Sequence, residues 1–213
     1  MTPREAPSRP SIAVFDFGGV LVDWNPRHLY RKLIADPSEM EHFLSEVTTR
    51  EWHMAQDHGG DPAEATRRLK ALHPGKEALI EAFYGRFDEM NEVVFPDMVA
   101  LVERLHAAGT PLYLLSNAPD LLDRWLRGPA RQIHPFIGLF RDYVVSGLVK
   151  CSKPDAAIYA LACRTGGFSP HEAVFIDDVP ANVEGARAIG MAAVHHRSAA
   201  ETSAALRALG LPA

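Results

Sequence analysis

The sequence predicts a doubly wound parallel α/β sheet interrupted by one all-helical insertion. Three observations carry this reading. A short apolar run, residues 12–15, stops at Asp16 and the Gly18-Gly19 pair, as a buried parallel strand stops at a tight loop. Four more short apolar runs follow, at 111–115, 143–145, 173–176 and 191–195, with helical patterns between them. Between the first run and the second, residues 25–94 hold only helical spacing.

In chain order, residues 1–9 form a polar, Pro-containing leader expected to be disordered. After the first strand, Trp24-Asn25-Pro26 is a break. Helices are expected at 27–34, 38–48, 62–72 and 76–91, the last showing the stripe Leu79-Ile80, Phe83, Phe87, Met90. The stretch REWHMAQDH, 50–58, reads as a Gly-bounded loop. Pro96 restarts the alternation: a helix at 97–108 ends at Gly109, and the strand at 111–115 runs into Ser116-Asn117. The helical pattern of 120–133 should break at Gly128-Pro129. The strand at 143–145 precedes the loop SGLVKCSKP, and a helix at 155–165 closes at Gly166-Gly167. Ser169-Pro170-His171-Glu172 has the spacing of a capping box. The strand at 173–176 runs into Asp177-Asp178, then come a helix at 181–189, the last strand and a final helix at 199–209. The predicted division is a core of 10–24 with 95–213 and a helical cap of 25–94.

Composition narrows the function. Of 213 residues, 47% are hydrophobic and 23% charged, ordinary for a globular protein, and a net charge of -5 gives no reason to expect nucleic acid or anionic membranes as partners. No apolar run approaches a membrane span. The two cysteines, Cys151 and Cys163, are too few for a disulfide scaffold. The expectation is a cytoplasmic, enzyme-sized protein, a monomer or homodimer.

Parallel strands point the same way, so their carboxyl ends bring Asp16, Ser116-Asn117, the Lys150/Lys153 loop and Asp177-Asp178 to one rim. Carboxylates hold Mg²⁺, and ammonium and hydroxyl groups neutralise phosphoryl oxygens. Asp16 is then a candidate in-line nucleophile. The Gly18-Gly19 loop can bring backbone N–H groups close to an anion.

The blocks VFDFGGVLVD, LLSNA, the KP of CSKPDAAIY, and FIDDVPANVEGARAIGM resemble, in order, the four motifs of the haloacid dehalogenase-like hydrolases. The helical insertion resembles the cap of the subfamily whose cap lies between motifs one and two. The resemblance implies Asp16 as nucleophile, Ser116 as the motif-two hydroxyl and Lys153, ahead of Pro154, as the motif-three lysine, with Lys150 left as the other phosphate-facing option. It implies Mg²⁺ held by Asp16, the Gly18 carbonyl and Asp178, with Asp177 orienting the site. Gly19 and Asn117 would offer backbone N–H groups to phosphate. Phosphatases of this superfamily usually carry a second Asp two residues after the nucleophile as general acid and base, and here that position is Gly18. Such catalysis contributes about 10²–10⁴-fold, so Gly18 implies slow turnover, a leaving group that needs little protonation, or an acid from the cap or substrate. Sugar 1-phosphates suit the second option, and the opening resembles that of bacterial α-glucose-1-phosphate phosphatases. In the cap, Trp52 could stack on a sugar and His53 could substitute as acid; alternatively Trp52 packs between helices. L-2-haloacid dehalogenases also lack the second Asp and need no metal, but their fourth motif typically has Ser/Asn where Asp177-Asp178 stand. The remaining alternative is a weakly active protein that binds a phosphorylated ligand or a partner.

Overall fold

A computed structural model describes residues 9–213, so the expected leader, apart from Arg9, lies outside the described residues. Five parallel strands form one sheet in the order β3-β2-β1-β4-β5, with β1 (Ile12–Phe15) central, β2 (Leu112–Ser116) and β3 (Asp142–Val145) to one side, and β4 (Ala173–Asp177) and β5 (Ala192–His195) to the other. The doubly wound α/β fold is therefore observed. Ala13, Phe15, Leu112, Leu114, Val174 and Ile176 join one buried cluster, while Val14, Leu115, Val144 and Phe175 join a second. These are the two faces of the pleat, each covered by helices, which is why the strands read as continuous apolar runs.

Between β1 and α6 the chain is helical: α1 (Pro26–Tyr30), α2 (Pro37–Glu46), α3 (Arg50–Asp57), α4 (Pro62–Leu72) and α5 (Glu77–Gly85) precede α6 (Pro96–Ala107). Three of these starts share one device. Asn25, Asp36 and Asp61 each accept a hydrogen bond from a first-turn N–H, and Pro26, Pro37 and Pro62 preset the first helical residue. The expected loop at 50–58 is instead helix α3, because Thr49 caps it by accepting from Trp52 N at 3.1 Å. The single helix expected at 76–91 divides: α5 stops at Gly85 and Phe87–Asn91 forms a 3₁₀ turn. Tyr30 ties α1 to α5 by donating its buried hydroxyl to Leu79 O at 2.8 Å.

In the remainder of the chain, α7 (Leu121–Arg127) and α8 (Ala130–Ile133) part at Gly128-Pro129 as expected. The SGLVKCSKP loop contains an unexpected short helix, α9 (Ser146–Val149), ended by Lys150 in left-handed backbone at φ 56°. α10 (Ala156–Gly166), α11 (Pro180–Ala188) and α12 (Ala199–Ala208) complete the layers. Ser169 and Glu172 form the expected capping box. No helix is long and apolar enough to cross a membrane.

α9 is seated by close backbone approach. Gly147 N donates to Ala118 O at 2.9 Å, and a Cβ on Gly147 would sit 2.7 Å from that oxygen and 2.8 Å from Asp120 N. Because the obstructing atoms are backbone, Gly147→Ala should destabilise the fold by about 1–3 kcal/mol, seen as a Tm lower by several degrees in thermal denaturation.

Candidate active site

β1 is flanked by β2 and β4, and the chain reverses its direction of travel across the sheet at β1/β4, where open α/β sheets form their crevice. Asp16 follows the last residue of β1, and its N–H donates to Ile176 O at 2.8 Å, so β1 and β4 stay paired up to the site. This delivers Asp16 and Asp177 side by side.

Lys153 joins them. Its Nζ lies 2.9 Å from Asp16 Oδ1 and donates to Asp177 Oδ2 at 2.6 Å, and the residue is only 3% exposed. Burial alone would push this ammonium down, but the two carboxylates outweigh it and hold Lys153 above its ordinary value. Lys153 is itself clamped at the backbone: its N–H donates to Asn117 Oδ1 and its carbonyl accepts from Asn117 Nδ2, both at 2.9 Å. The Asn117 side chain thus fixes the lysine loop, a role the sequence does not announce. Lys150, by contrast, is exposed. Between the two lysines, Lys153 is the one that meets the carboxylates.

Asp177 is fully buried and saturated. Besides Lys153 it accepts from Val179 N at 2.8 Å and, on both oxygens, from Asn182 Nδ2 at 3.1 Å. Asn182 therefore braces the acidic loop. Asp178 is half-buried, and burial, with the neighbouring Asp177 charge, pushes its pKa up. Burial, opposed by Lys153 and reinforced by Asp177, raises Asp16 to about 7. Asp16 Oδ1 also accepts from Phe17 N at 2.7 Å.

Asp16, Asp177 and Asp178 can each bring one oxygen within 4.8 Å of the others. Three carboxylates against one ammonium leave two negative charges in a largely dry pocket, and all the donors are hard oxygens. Charge and donor type both fit a divalent cation such as Mg²⁺. Gly18 and Gly19 form the turn alongside. Gly19 has φ +76°, and a Cβ there would overlap Asp178 Oδ2 and lie 2.8 Å from its Cγ. A Cβ on Gly18 would make only ordinary contact, 3.5 Å from Trp24 Cβ. Ser116 is buried at the end of β2, beside Val145 of β3.

The helical segment gives a different picture from the sequence. Trp52 packs edge-on to Phe83 and tilted against Tyr84, both at 5.1 Å, and its indole N–H donates to Ala65 O at 3.4 Å. Its ring is engaged by protein, so stacking on a sugar is not what this arrangement offers. His53 stacks on Trp24 at 4.7 Å and pairs through Nδ1 with Tyr84 Oη at 3.1 Å. Burial lowers it to about 4, so it is neutral at pH 7 and is no acid there. Asp57, at the end of α3, has no signal in the sequence beyond lying in REWHMAQDH. In the fold, burial and the Asp16 charge push it up to about 7.

The chain matches the haloacid dehalogenase-like hydrolase family over residues 10–190 and belongs to it. It is 27% identical to the sesquiterpene phosphatase astK of Aspergillus oryzae over 203 residues, covering 92% of this chain and 95% of that protein. It is 26% identical to hexitol phosphatase A of Escherichia coli over 208 residues, 89% of this chain and 84% of the relative. A haloacid dehalogenase-family enzyme of Bacteroides thetaiotaomicron, solved with magnesium and inorganic phosphate, superposes with TM-score 0.66 at 22% identity, covering 88% of this chain and 94% of its own. A dehalogenase structure also reaches TM-score 0.66, at 20% identity over 92% of this chain and 96% of its own, so fold alone does not separate the two chemistries.

Two measurements test the site's electrostatics. Gly19→Ala should weaken Mg²⁺ binding, followed by titration calorimetry, about 10- to 100-fold by displacing Asp178. His53 has its folded pKa below its unfolded value, so its contribution is complete above pH 6.5 and is lost as pH falls toward 4. That is about 3 kcal/mol, and chemical denaturation at several pH values should show His53→Gln losing correspondingly less stability on acidification than the wild type.

Proposed function

We propose that the protein is a Mg²⁺-dependent phosphatase of small phosphorylated metabolites, acting through an aspartyl-phosphate on Asp16, with residues 25–94 as its cap. The observation that carries this is the buried triad of Asp16, Lys153 and Asp177, with Asp178 beside it and a surplus of two negative charges. A site that must accommodate that surplus when ionised suits a cation and a phosphate better than a halide displaced from carbon, which requires neither. The phosphatase names of the relatives from A. oryzae and E. coli support the same reading.

Asp16, the Gly18 carbonyl and Asp178 would hold the cation, which when bound neutralises phosphoryl oxygens and favours ionised Asp16. The chain's own residues do the rest. Asp16 Oδ1 is held by Lys153 and Phe17 N–H, which leaves Oδ2 to attack phosphorus. The bond from phosphorus to the leaving oxygen breaks, and the departing alcohol takes a proton. Lys153 offsets the repulsion between Asp16 and the dianion, and Ser116, with the N–H groups of Gly19 and Asn117, binds the transferring phosphoryl group. Asp177 orients Lys153 and is kept in place by Asn182. Water then attacks the aspartyl-phosphate and frees Asp16. Sugar 1-phosphates, whose leaving group is comparatively good, suit a glycine at position 18.

Purified protein should release phosphate from a panel of sugar, alkyl and acyl phosphates with Mg²⁺ and stop on chelation, with no halide from 2-chloropropionate. Asp16→Asn should reduce phosphate release to background. Halide release indifferent to chelator would replace this reading with the dehalogenase one.

A further inference from the structure

We propose that Asp57, on helix α3 of the helical segment, is the general acid and base that the glycine at position 18 leaves out of the β1 loop. The assignment rests on the phosphatase reading of the site, and four observations support it.

First, one oxygen of the half-buried Asp57 carboxyl group is unsatisfied. Its Oδ1 is buried without a hydrogen-bond partner among the described residues, and the nearest cationic candidate, His53 Nε2, is 3.6 Å away, beyond hydrogen-bond reach. A buried, unpartnered acceptor is destabilising, so its presence calls for a reason outside packing. Second, it is tied to the core beside the phosphate-facing strand ends. The Asp57 carbonyl accepts from Ser146 Oγ at 2.5 Å, and the same Oγ accepts from Ala118 N at 3.0 Å, two residues beyond Ser116. Close by, a Cβ on Gly59 would collide with Lys150, so the end of α3 is seated directly on the loop after β3. Third, Asp57 and Asp16 are close enough that the charge on Asp16 helps burial hold Asp57 at about 7, where a carboxyl can both give and take a proton. The other ionisable groups facing it are His53 one turn back on α3 and Tyr84 on α5, whose own pKa Asp57 helps to raise. Fourth, His53 is neutral and already engaged by Tyr84 Oη, which removes the other candidate acid of the stretch.

The proton balance closes. Protonated Asp57 gives its proton to the ester oxygen as the phosphorus–oxygen bond breaks, leaving Asp57 as carboxylate and Asp16 phosphorylated. The carboxylate then takes a proton from the water that attacks phosphorus. Asp16 leaves as carboxylate, phosphate departs, and Asp57 is protonated for the next turnover.

Asp57→Asn keeps shape and removes the proton. In the first turnover, alcohol release from β-glycerol phosphate should fall about 10²–10⁴-fold, whereas nitrophenol release from p-nitrophenyl phosphate, which needs no proton, should fall less than about tenfold. Adding Gly18→Asp, which the space beside Trp24 admits, should restore part of the glycerol phosphate rate. In metal-free protein, carboxyl ¹³C NMR should show Asp57 titrating near neutrality, a readout that needs neither activity nor a well-folded variant. Equal losses on the two esters, no loss on either, or an Asp57 carboxyl titrating near 4 would overturn the assignment while the phosphatase reading stands. Wild-type protein inactive on every ester with Mg²⁺ would remove the phosphatase reading and this assignment together.

Discussion

The Lys153 ammonium, enclosed between Asp16 and Asp177, is the contact on which the site depends. A lone buried charge costs several kcal/mol: each carboxylate here is tolerable because of Lys153, and Lys153 because of the two carboxylates. That mutual dependence recruits the rest of the architecture. β1 and β4 must be neighbours in register to set Asp16 beside Asp177, and Asn117 at the end of β2 must clamp the lysine backbone from both sides. Asn182, from the first turn of α11, must then fill the remaining acceptors of Asp177. Four segments far apart in sequence are thereby locked around one ion cluster.

The cluster is also deliberately unbalanced. Two further positive charges would bring it to neutrality, and among the described residues none pairs with it besides Lys153. Burial, and then the neighbouring charge of Asp177, pushes Asp16 and Asp178 up, so the ionised cluster gains from a counter-charge. Gly19 is part of the same economy of space: its left-handed turn lets the Asp178 carboxylate lie against the loop where any side chain would intrude. The charge and the hard oxygen donors of the cluster fit a small divalent cation.

The sheet was legible because strands buried on both faces leave short apolar runs, and three of them, β1, β2 and β4, are punctuated at the carboxyl end by polar residues of the site. The residues of the rim were legible for the same reason: Asp16, Ser116 and Asp177 directly end or follow those runs, and Lys153 is marked by Pro154. What sequence pattern does not carry is the interior of the helical segment. REWHMAQDH is amphipathic at helical spacing but so polar overall that it reads as a loop, and Thr49 caps it as α3. Once it is a helix, Trp52 and His53 turn into an aromatic cluster with Trp24, Phe83 and Tyr84, and Asp57 is carried to the docked end. Which polar residue of an amphipathic stretch ends up facing another segment is a tertiary fact. Asn117 illustrates the same limit: its backbone position was readable, its side-chain clamp was not.

Gly18 takes its meaning from this placement. With a proton donor in the β1 loop, acid and nucleophile would sit on one rigid turn, and the helical segment would contribute only shape. With the donor at the end of α3, the leaving group is protonated only when that segment is seated through Ser146, so proton transfer depends on the closed arrangement. In the proposed reaction, water that entered with α3 unseated would meet an aspartyl-phosphate without its base, which would protect the intermediate. The same placement lifts the restriction that a glycine otherwise sets on the substrate. A site with no acid would be confined to good leaving groups such as anomeric oxygens. A site with Asp57 as proposed could expel an ordinary alcohol.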